Sequence, residues 1–325
     1  MPAIETTALT KRYGEDILAV DGLDLTVEEG EIFGFLGPNG AGKSTTINML
    51  LDFVRPSEGR ATVLGYDAQD ETGAIRERIG VLPEGATLYE RLTAREHVEW
   101  VADTKRSTTD VDAILDRVGI LEDADRAAGG FSKGMRQRLG LGMALVGDPD
   151  LLILDEPSSG LDPNGIQDMR QLLREEAESG TTVFFSSHIL SEVEAVCDRV
   201  GIMNQGRLVA LDSIATLRDE ATGEATIEVE LASPADPESL AVDSIDGVRG
   251  ATVEDGAVTA VCETPGVKVD VVRHLDQRAT VTDILSSDTS LEELFNQYTG
   301  ETDALPGDEV GTPDDARDRE PEVIA

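Results

Sequence analysis

The sequence predicts an α/β protein built on a mainly parallel sheet, followed by a smaller α+β domain. Short β-type runs alternate with helical segments through the first two thirds of the 325-residue chain. This alternation is typical of parallel strands covered by helices. The pattern changes between residues 212 and 224, and no chemical motif follows. We therefore predict domains over residues 1–215 and 216–299.

In the first domain, the strand signals are EIFGFL from Glu31, LLILD from Leu151 and TTVFFS from Thr181, and helices are predicted from Lys43 and Pro163. A run such as LLILD is apolar on both faces, as in strands buried inside a parallel sheet. Polar groups that follow such strands are expected at one edge of the sheet, where open α/β sheets bind ligands.

The remaining chain gives weaker signals. ATIEVEL and AVTAVC predict strands, while residues 267–275 and LEELFNQY predict helices. Residues 300–325 contain nine acidic residues, two arginines and almost no large apolar side chains. Such a segment buries too little apolar surface to offset the entropy of ordering, so we predict a disordered acidic tail.

The charge balance is strongly acidic, with 65 Asp+Glu against 27 Lys+Arg and a net charge of −38. This surface repels phosphates, so we expect no nucleic-acid partner. Only five basic residues are lysines, and an acidic, lysine-poor surface favours adaptation to a salty cytoplasm, as in a halophile. An acidic mesophilic protein is the alternative.

Cysteine usage and hydropathy indicate a soluble, intracellular chain. Cys197 and Cys262 are too few for a disulfide framework or a cysteine metal cluster. The N-terminal segment lacks the apolar stretch of a signal peptide, and no run of about 18 apolar residues is present.

The strongest motif is GPNGAGKS, which fits G-x-x-x-x-G-K-[ST] between a strand and a helix. Its glycines let backbone N–H groups surround phosphate oxygens, and the helix N-terminus favours negative charge. We predict that Lys43 reaches the β- and γ-phosphates of a nucleotide and that the Ser44 hydroxyl binds Mg²⁺. A purely structural turn is the alternative. The predicted nucleotide-binding residues here are Gly37, Pro38, Asn39, Gly40, Ala41, Gly42, Lys43, Ser44 and Thr45.

Two further strands end in polar residues. LLILD is followed by Glu156, and we predict that Asp155 holds Mg²⁺ while Glu156 acts as general base toward the attacking water. By itself, such an Asp-Glu pair is often part of a solvated loop. TTVFFSSH ends at His188, whose imidazole is predicted to meet the γ-phosphate, although a lone histidine is more often structural.

FSKGMRQR, residues 131–138, stands where ABC transporter ATPases carry their signature motif, and the chain resembles that family over residues 3–211. The resemblance implies a P-loop NTPase fold with an antiparallel β-subdomain and a helical signature subdomain. It also implies that Ser132, as a helix N-cap, and Gly134 bind the γ-phosphate held by the other subunit. Lys133 and Met135 replace the commoner glycine and glutamine, and this form resembles the branch that serves ABC-2 type exporters. We expect Lys133 to point outward; the alternative is that its ammonium faces the ATP of the opposing subunit and joins Lys43 in neutralising the γ-phosphate.

Other correspondences follow from the same resemblance. Tyr13 resembles the aromatic residue that stacks on adenine, and Asp162 lies in SGLD, which resembles the loop that crosses the dimer interface. Glu84 in VLPEG occupies the place of a glutamine that touches Mg²⁺ and the catalytic water, so a metal and catalytic role is implied for it. Residues 88–100 are expected to face the membrane partner. The C-terminal domain resembles the accessory domain of drug- and antibiotic-export ATPases.

The resemblance therefore implies an Mg²⁺-dependent ATPase that drives transport by closing head to tail on ATP. The expected partners are an integral-membrane permease and a second copy of the chain, or a paralogous ATPase. The expected location is cytoplasmic, peripheral on the inner face of the cell membrane. The alternatives are a soluble ABC ATPase that acts on ribosomes or DNA, and a nucleotide-gated scaffold that does not hydrolyse ATP. Such soluble ATPases usually carry two nucleotide domains or a long coiled-coil insertion, and this chain has neither.

Overall fold

The fold is described from a computed structural model, which describes residues 1–14, 16–85, 87–221, 225–233, 240–254, 256–288 and 295. The strands are β1 (Pro2–Tyr13), β2 (Ile17–Glu28), β3 (Ile32–Leu36), β4 (Glu58–Val63), β5 (Tyr66–Asp67), β6 (Ile79–Leu82), β7 (Leu151–Asp155), β8 (Thr182–Ser187), β9 (Arg199–Asn204), β10 (Arg207–Ser213), β11 (Ala225–Leu231), β12 (Val248–Glu254), β13 (Ala257–Cys262) and β14 (Val281–Asp288). The helices are α1 (Lys43–Leu50), α2 (Thr72–Arg78), α3 (Ala94–Lys105), α4 (Val111–Arg117), α5 (Lys133–Leu145), α6 (Pro163–Glu178), α7 (Leu190–Glu194), α8 (Ile214–Ala221) and α9 (Pro265–Asp276).

A six-stranded sheet forms the centre of the α/β unit, in the order β10-β9-β3-β8-β7-β6. Its strands are parallel from β9 to β6, and β10 pairs antiparallel at the edge. Every residue of β3, β7 and β8 is buried. Phe184 stacks on Phe33 with ring centroids 5.8 Å apart, which ties neighbouring strands together. Because β3, β8 and β7 are adjacent and parallel, their carboxyl ends meet at one edge of the sheet.

Two layers flank the central sheet, as the fold prediction required. An antiparallel sheet, β2-β1-β4-β5, shares its hydrophobic core with α1. Helices α3, α4 and α5 share a second core with the opposite side of the central sheet. The predicted α/β fold, with an antiparallel β-subdomain and a helical subdomain, is confirmed.

The C-terminal region has its own antiparallel sheet, β12-β13-β11-β14. It shares a separate core with α9, which includes Val229, Val258 and Leu275. The predicted strands ATIEVEL and AVTAVC and the helix near 267–275 are therefore present. The helix predicted in LEELFNQY lies outside the described residues except for Phe295, which is buried in the core cluster of the α/β unit. The predicted acidic tail also lies outside them.

The domain limits stay a prediction. The limit predicted at residue 215 falls inside α8, whose Ile214 and Leu217 are buried in the core of the α/β unit. Cys197 and Cys262 are both free thiols. In the described part of the chain, we find no helix that combines the length and the apolar character needed to span a bilayer.

The net charge of −38 predicts that stability depends on salt. The Debye length falls from about 10 Å at 0.1 M to about 3 Å at 1 M, so molar salt screens repulsion between surface carboxylates. We expect the melting temperature to rise by roughly 5 °C or more between 0.1 M and 2 M KCl. NaCl at equal ionic strength is the control and should act alike. A melting temperature that is indifferent to both salts would refute the salt-adapted interpretation.

Candidate active site

The P-loop, residues 37–44, joins β3 to α1 in a turn that requires glycine at two positions. A Cβ atom on Gly37 would lie 2.4 Å from the carbonyl oxygen of Met203, and one on Gly42 would lie 2.5 Å from that of Ala19. Gly42 also has φ 109°, a value that side chains disfavour. Helix α1 begins at Lys43, so its free N–H groups and positive dipole end border the loop.

The P-loop borders an open cleft of about 510 Å³, a size suited to a nucleotide. The cleft brings together the ends of several strands that the sequence predicted to meet. It is lined by Ile17, Leu18, Ala19, Pro38, Asn39, Gly40, Ala41, Gly42, Lys43, Ser44, Thr45, Glu84, Glu156, Ser159 and His188.

Lys43 supplies the positive charge at the base of this cleft. Its side chain is only 6% exposed, and Nζ donates a hydrogen bond to the Gly37 carbonyl oxygen at 2.6 Å. Nζ also lies 3.7 Å from Glu156 Oε1. Burial lowers the pKa of Lys43 below its ordinary value, while the carboxylates of Glu156 and Asp155 act in the opposite direction. Nζ also lies 3.4 Å from the Pro38 carbonyl oxygen, so the P-loop backbone and Glu156 hold this buried ammonium at the base of the cleft, where a cation can bind phosphate oxygens.

Glu156 follows β7 in a strained conformation. Its φ of 51° lies in the left-handed region that a β-carbon disfavours, and such strain is concentrated at functional sites. The Gln137 side-chain amide holds this backbone by donating to the carbonyl oxygens of Glu156 at 3.1 Å and Pro157 at 2.9 Å. Oε2 of Glu156 lies 2.9 Å from Nδ1 of His188. The two predicted catalytic side chains therefore contact each other.

The three predicted metal-binding residues supply oxygen atoms around the same edge of the sheet. Asp155 is buried at the end of β7 and accepts a hydrogen bond from the Ser186 hydroxyl. Ser44 and Glu84 line the cleft itself. The described residues contain no group of three or more acidic, histidine or cysteine side chains suited to a metal. Mg²⁺ fits such a sparse oxygen set, because it commonly keeps waters and takes substrate phosphates as ligands.

The signature residues lie elsewhere on the chain. Ser132 caps α5 and accepts a hydrogen bond from the Met135 N–H at 3.2 Å, as predicted for an N-cap. Asp162 caps α6 in the same way, accepting from the Gly165 N–H at 2.9 Å. Ser132, Gly134 and Asp162 line a second cleft that shares no residue with the P-loop cleft. The P-loop and the signature residues of one chain therefore lie in two separate clefts.

Comparisons with known proteins identify the family of the chain. The family model described as "ABC transporter" matches residues 20–159. The chain is 33% identical over 312 residues to the linearmycin resistance ATP-binding protein of Bacillus subtilis, covering 92% of this chain and 99% of that protein. The chain belongs to the ABC transporter ATP-binding subunits. It binds and hydrolyses ATP, and it works with a second ATPase copy beside a membrane permease, from the cytoplasmic side.

Further relatives support membership of this ABC family. The bacitracin transport ATP-binding protein of Bacillus licheniformis is 44% identical over 211 residues, covering 63% of this chain and 68% of that protein. A solved ABC cassette in a dimeric post-hydrolysis state, bound to ADP and Pi, matches with a TM-score of 0.61 and 25% identity. That match covers 65% of this chain and 98% of the cassette.

Lys133, which departs from the usual ABC signature, contacts its own chain. The side chain is exposed, and its Nζ donates to the Ser159 hydroxyl at 2.9 Å. The outward orientation expected for Lys133 stays a prediction, since the residue lines the same cleft as Ser132 and Gly134. Its aliphatic part covers Gly160, where a Cβ atom would lie 2.5 Å from Lys133 Cδ. The lysine therefore links the signature helix to the SGLD loop, residues 159–162. Sequence reasoning did not anticipate this contact.

Tyr13 does not line the cleft of this ABC subunit. Its ring is 41% exposed and lies beneath the Lys11 ammonium, 5.0 Å from the ring centroid. The cleft wall near this end of β1 is formed by Ile17, Leu18 and Ala19 of β2 instead. An adenine-stacking role for Tyr13 stays a prediction. The apolar β2 residues carry no motif that could have marked them in the sequence.

Proposed function

We propose that this ABC subunit energises an exporter of the ABC-2 type, through Mg²⁺-dependent ATP hydrolysis in a head-to-tail pair. The bacitracin transport and linearmycin resistance relatives support an exporter. The SKGM form of the signature motif, residues 132–135, supports the same branch. In the pair, the P-loop cleft of each chain would be completed by Ser132 and Gly134 of the other.

The observation that carries the catalytic proposal is the contact of Glu156 with both Lys43 and His188. Lys43 binds the β- and γ-phosphates, while Glu156 accepts a proton from the attacking water. The Glu156 carboxylate lies 2.9 Å from His188 Nδ1, which fixes the imidazole beside the expected γ-phosphate position. Electrostatic stabilisation by Lys43 and the α1 N-terminus acts on the charge that spreads over the phosphate oxygens.

Mg²⁺ would be held by Ser44, Asp155 and Glu84, together with phosphate oxygens and water. When bound, it neutralises phosphate charge. Glu84 is exposed at the cleft wall, where the family usually has glutamine. An ionised carboxylate accepts hydrogen bonds but donates none, so Glu84 can bind the metal or accept from water, and it cannot donate to a phosphate.

A soluble ABC ATPase that acts on ribosomes or DNA is the weaker candidate. The named relatives are transport and resistance subunits. The net charge of −38 opposes binding to nucleic-acid phosphates.

The permease would dock on an exposed aromatic surface beside α3. Tyr89 is 60% exposed and Trp100 is 50% exposed, with their rings edge to face at 5.8 Å. Buried His97 supports this surface, because its Nε2 accepts the Tyr89 N–H at 3.0 Å and its Nδ1 lies 2.7 Å from the Thr93 carbonyl oxygen. Exposed aromatic side chains of this kind are common anchors at protein interfaces.

A docking experiment tests this proposal. Trp100→Asp places a charge in the aromatic surface, and we expect it to reduce recovery of the membrane permease with the tagged chain by at least about tenfold. Phe53→Asp, at an aromatic residue that is 60% exposed elsewhere, is the matched control and should retain the permease. Equal recovery with both variants would place the docking surface elsewhere. Recovery of ribosomes or DNA instead would favour the alternative function.

A further inference from the structure

A buried carboxylate behind the active site joins two of its loops. Glu192 in α7 is only 4% exposed, although acidic residues are rarely buried without partners. Its Oε2 accepts a hydrogen bond from the Ser158 hydroxyl at 2.7 Å and another from the Ser187 hydroxyl at 2.9 Å. Both serine side chains thus converge on one oxygen atom.

These serines flank the proposed catalytic residues. Ser158 follows Glu156 by two positions, and Ser187 directly precedes His188. The turn between Glu156 and the SGLD loop is short, since the Ser159 N–H donates to the Glu156 carbonyl oxygen at 3.1 Å. A displacement of Ser158 or Ser187 would therefore shift Glu156 or His188.

The hydrogen-bonded group of Glu192, Ser158 and Ser187 also connects to the P-loop. The Ser187 carbonyl oxygen accepts a hydrogen bond from the Gly37 N–H at 3.3 Å. One carboxylate oxygen is thus connected, through short backbone links, to the phosphate loop, the general base and the histidine. Hydrogen bonds to an ionised acceptor are about twice as strong as neutral ones. Removing the acceptor leaves the buried Ser158 hydroxyl to find a new partner, and it leaves the Ser187 hydroxyl with the Ile189 carbonyl oxygen at 3.4 Å.

We propose that Glu192 is a positioning residue for ATP hydrolysis, which fixes Ser158 and Ser187 so that Glu156 and His188 keep their 2.9 Å contact. It acts through these neighbours and does not touch the nucleotide. The inference rests on the proposed catalytic roles of Glu156 and His188. Misplacement of a general base by about 1 Å can cost roughly a hundredfold in rate, so loss of the bridge should appear in turnover.

Steady-state kinetics of the full chain test whether the hydrogen bonds from Ser158 and Ser187 to Glu192 support turnover. We expect Glu192→Ala to lower kcat at least about tenfold while KM for ATP changes little, because the P-loop side chains remain. Glu192→Gln should restore kcat to within about threefold of wild type, since one amide oxygen can accept from both serines. Glu194→Ala, on the same short helix, is the matched control and should retain wild-type kcat.

A double-mutant cycle separates positioning from general destabilisation. If Glu192 acts through the histidine, Glu192→Ala should cost little further rate in a His188→Ala background. Wild-type kcat in Glu192→Ala, equal losses in the Ala and Gln variants, or fully additive losses with His188→Ala would each overturn the proposal. Failure of the proposed function is recognised separately: Glu156→Gln would then turn over normally, whatever Glu192 does.

Discussion

Glu156→Gln is expected to abolish turnover while ATP binding survives. Glutamine keeps the size and polarity of the side chain but cannot accept a proton from water, so kcat should fall by about 10²–10⁴. Lys43 and the P-loop backbone remain to bind phosphates. Removing one negative charge beside the γ-phosphate also favours the nucleotide-bound pair. The variant should therefore form a stable ATP-dependent dimer, measured by size exclusion beside a steady-state ATPase assay.

The control for this result is another buried, ion-paired glutamate. Oε1 of Glu176 lies 2.6 Å from Nη2 of Arg117. Glu176 is also buried, but it does not line the P-loop cleft. Glu176→Gln should keep kcat within about a factor of two, even where the melting temperature falls. Hydrolysis at the wild-type rate in Glu156→Gln would remove Glu156 from the catalytic role. An ATPase-active chain would still exclude the non-hydrolysing scaffold.

The placement of the cleft residues was predictable because it follows from chain topology. Glu156 and His188 directly follow buried strands, and the P-loop that leads to Lys43 follows a third. Such strands belong in a parallel sheet, and their carboxyl ends share an edge. The order β3-β8-β7 places the three strand ends side by side. Local sequence patterns were therefore sufficient to predict that these residues, which are distant in sequence, lie close together.

The remaining features of the site depend on tertiary contacts that no local pattern encodes. Glu192 is one of 65 acidic residues, and only the fold shows that it is buried between two serines. Glu156 adopts a positive φ although it is not glycine, so its residue type does not predict this backbone conformation. Lys133 reaches Ser159 because the start of α5 and the SGLD loop lie together, although the two residues are 26 positions apart in sequence. The resemblance marked Lys133 as unusual, but only the fold shows that its partner is Ser159.

A mixture of two inactive variants is expected to regain ATPase activity. Lys43→Ala removes the ammonium that binds phosphate, and Ser132→Arg crowds the phosphate-facing end of α5, so each variant alone should be inactive. In a head-to-tail pair, the intact P-loop of the Ser132→Arg chain meets the intact signature motif of the Lys43→Ala chain. Equal mixing makes half of the pairs mixed, each with one complete site, so roughly a quarter of wild-type activity should return.

The matched control is a mixture of Lys43→Ala with Glu156→Gln. Both lesions lie in the P-loop cleft, so every site in a mixed pair contains one of them and no activity should return. Differently tagged chains that copurify in ATP establish that mixed pairs form in both cases. If mixed pairs form and the Lys43→Ala and Ser132→Arg mixture stays inactive, Ser132 does not complete the partner's site. The two clefts of one chain, which share no residue, would then need separate roles, because neither cleft alone holds both the P-loop and the signature motif.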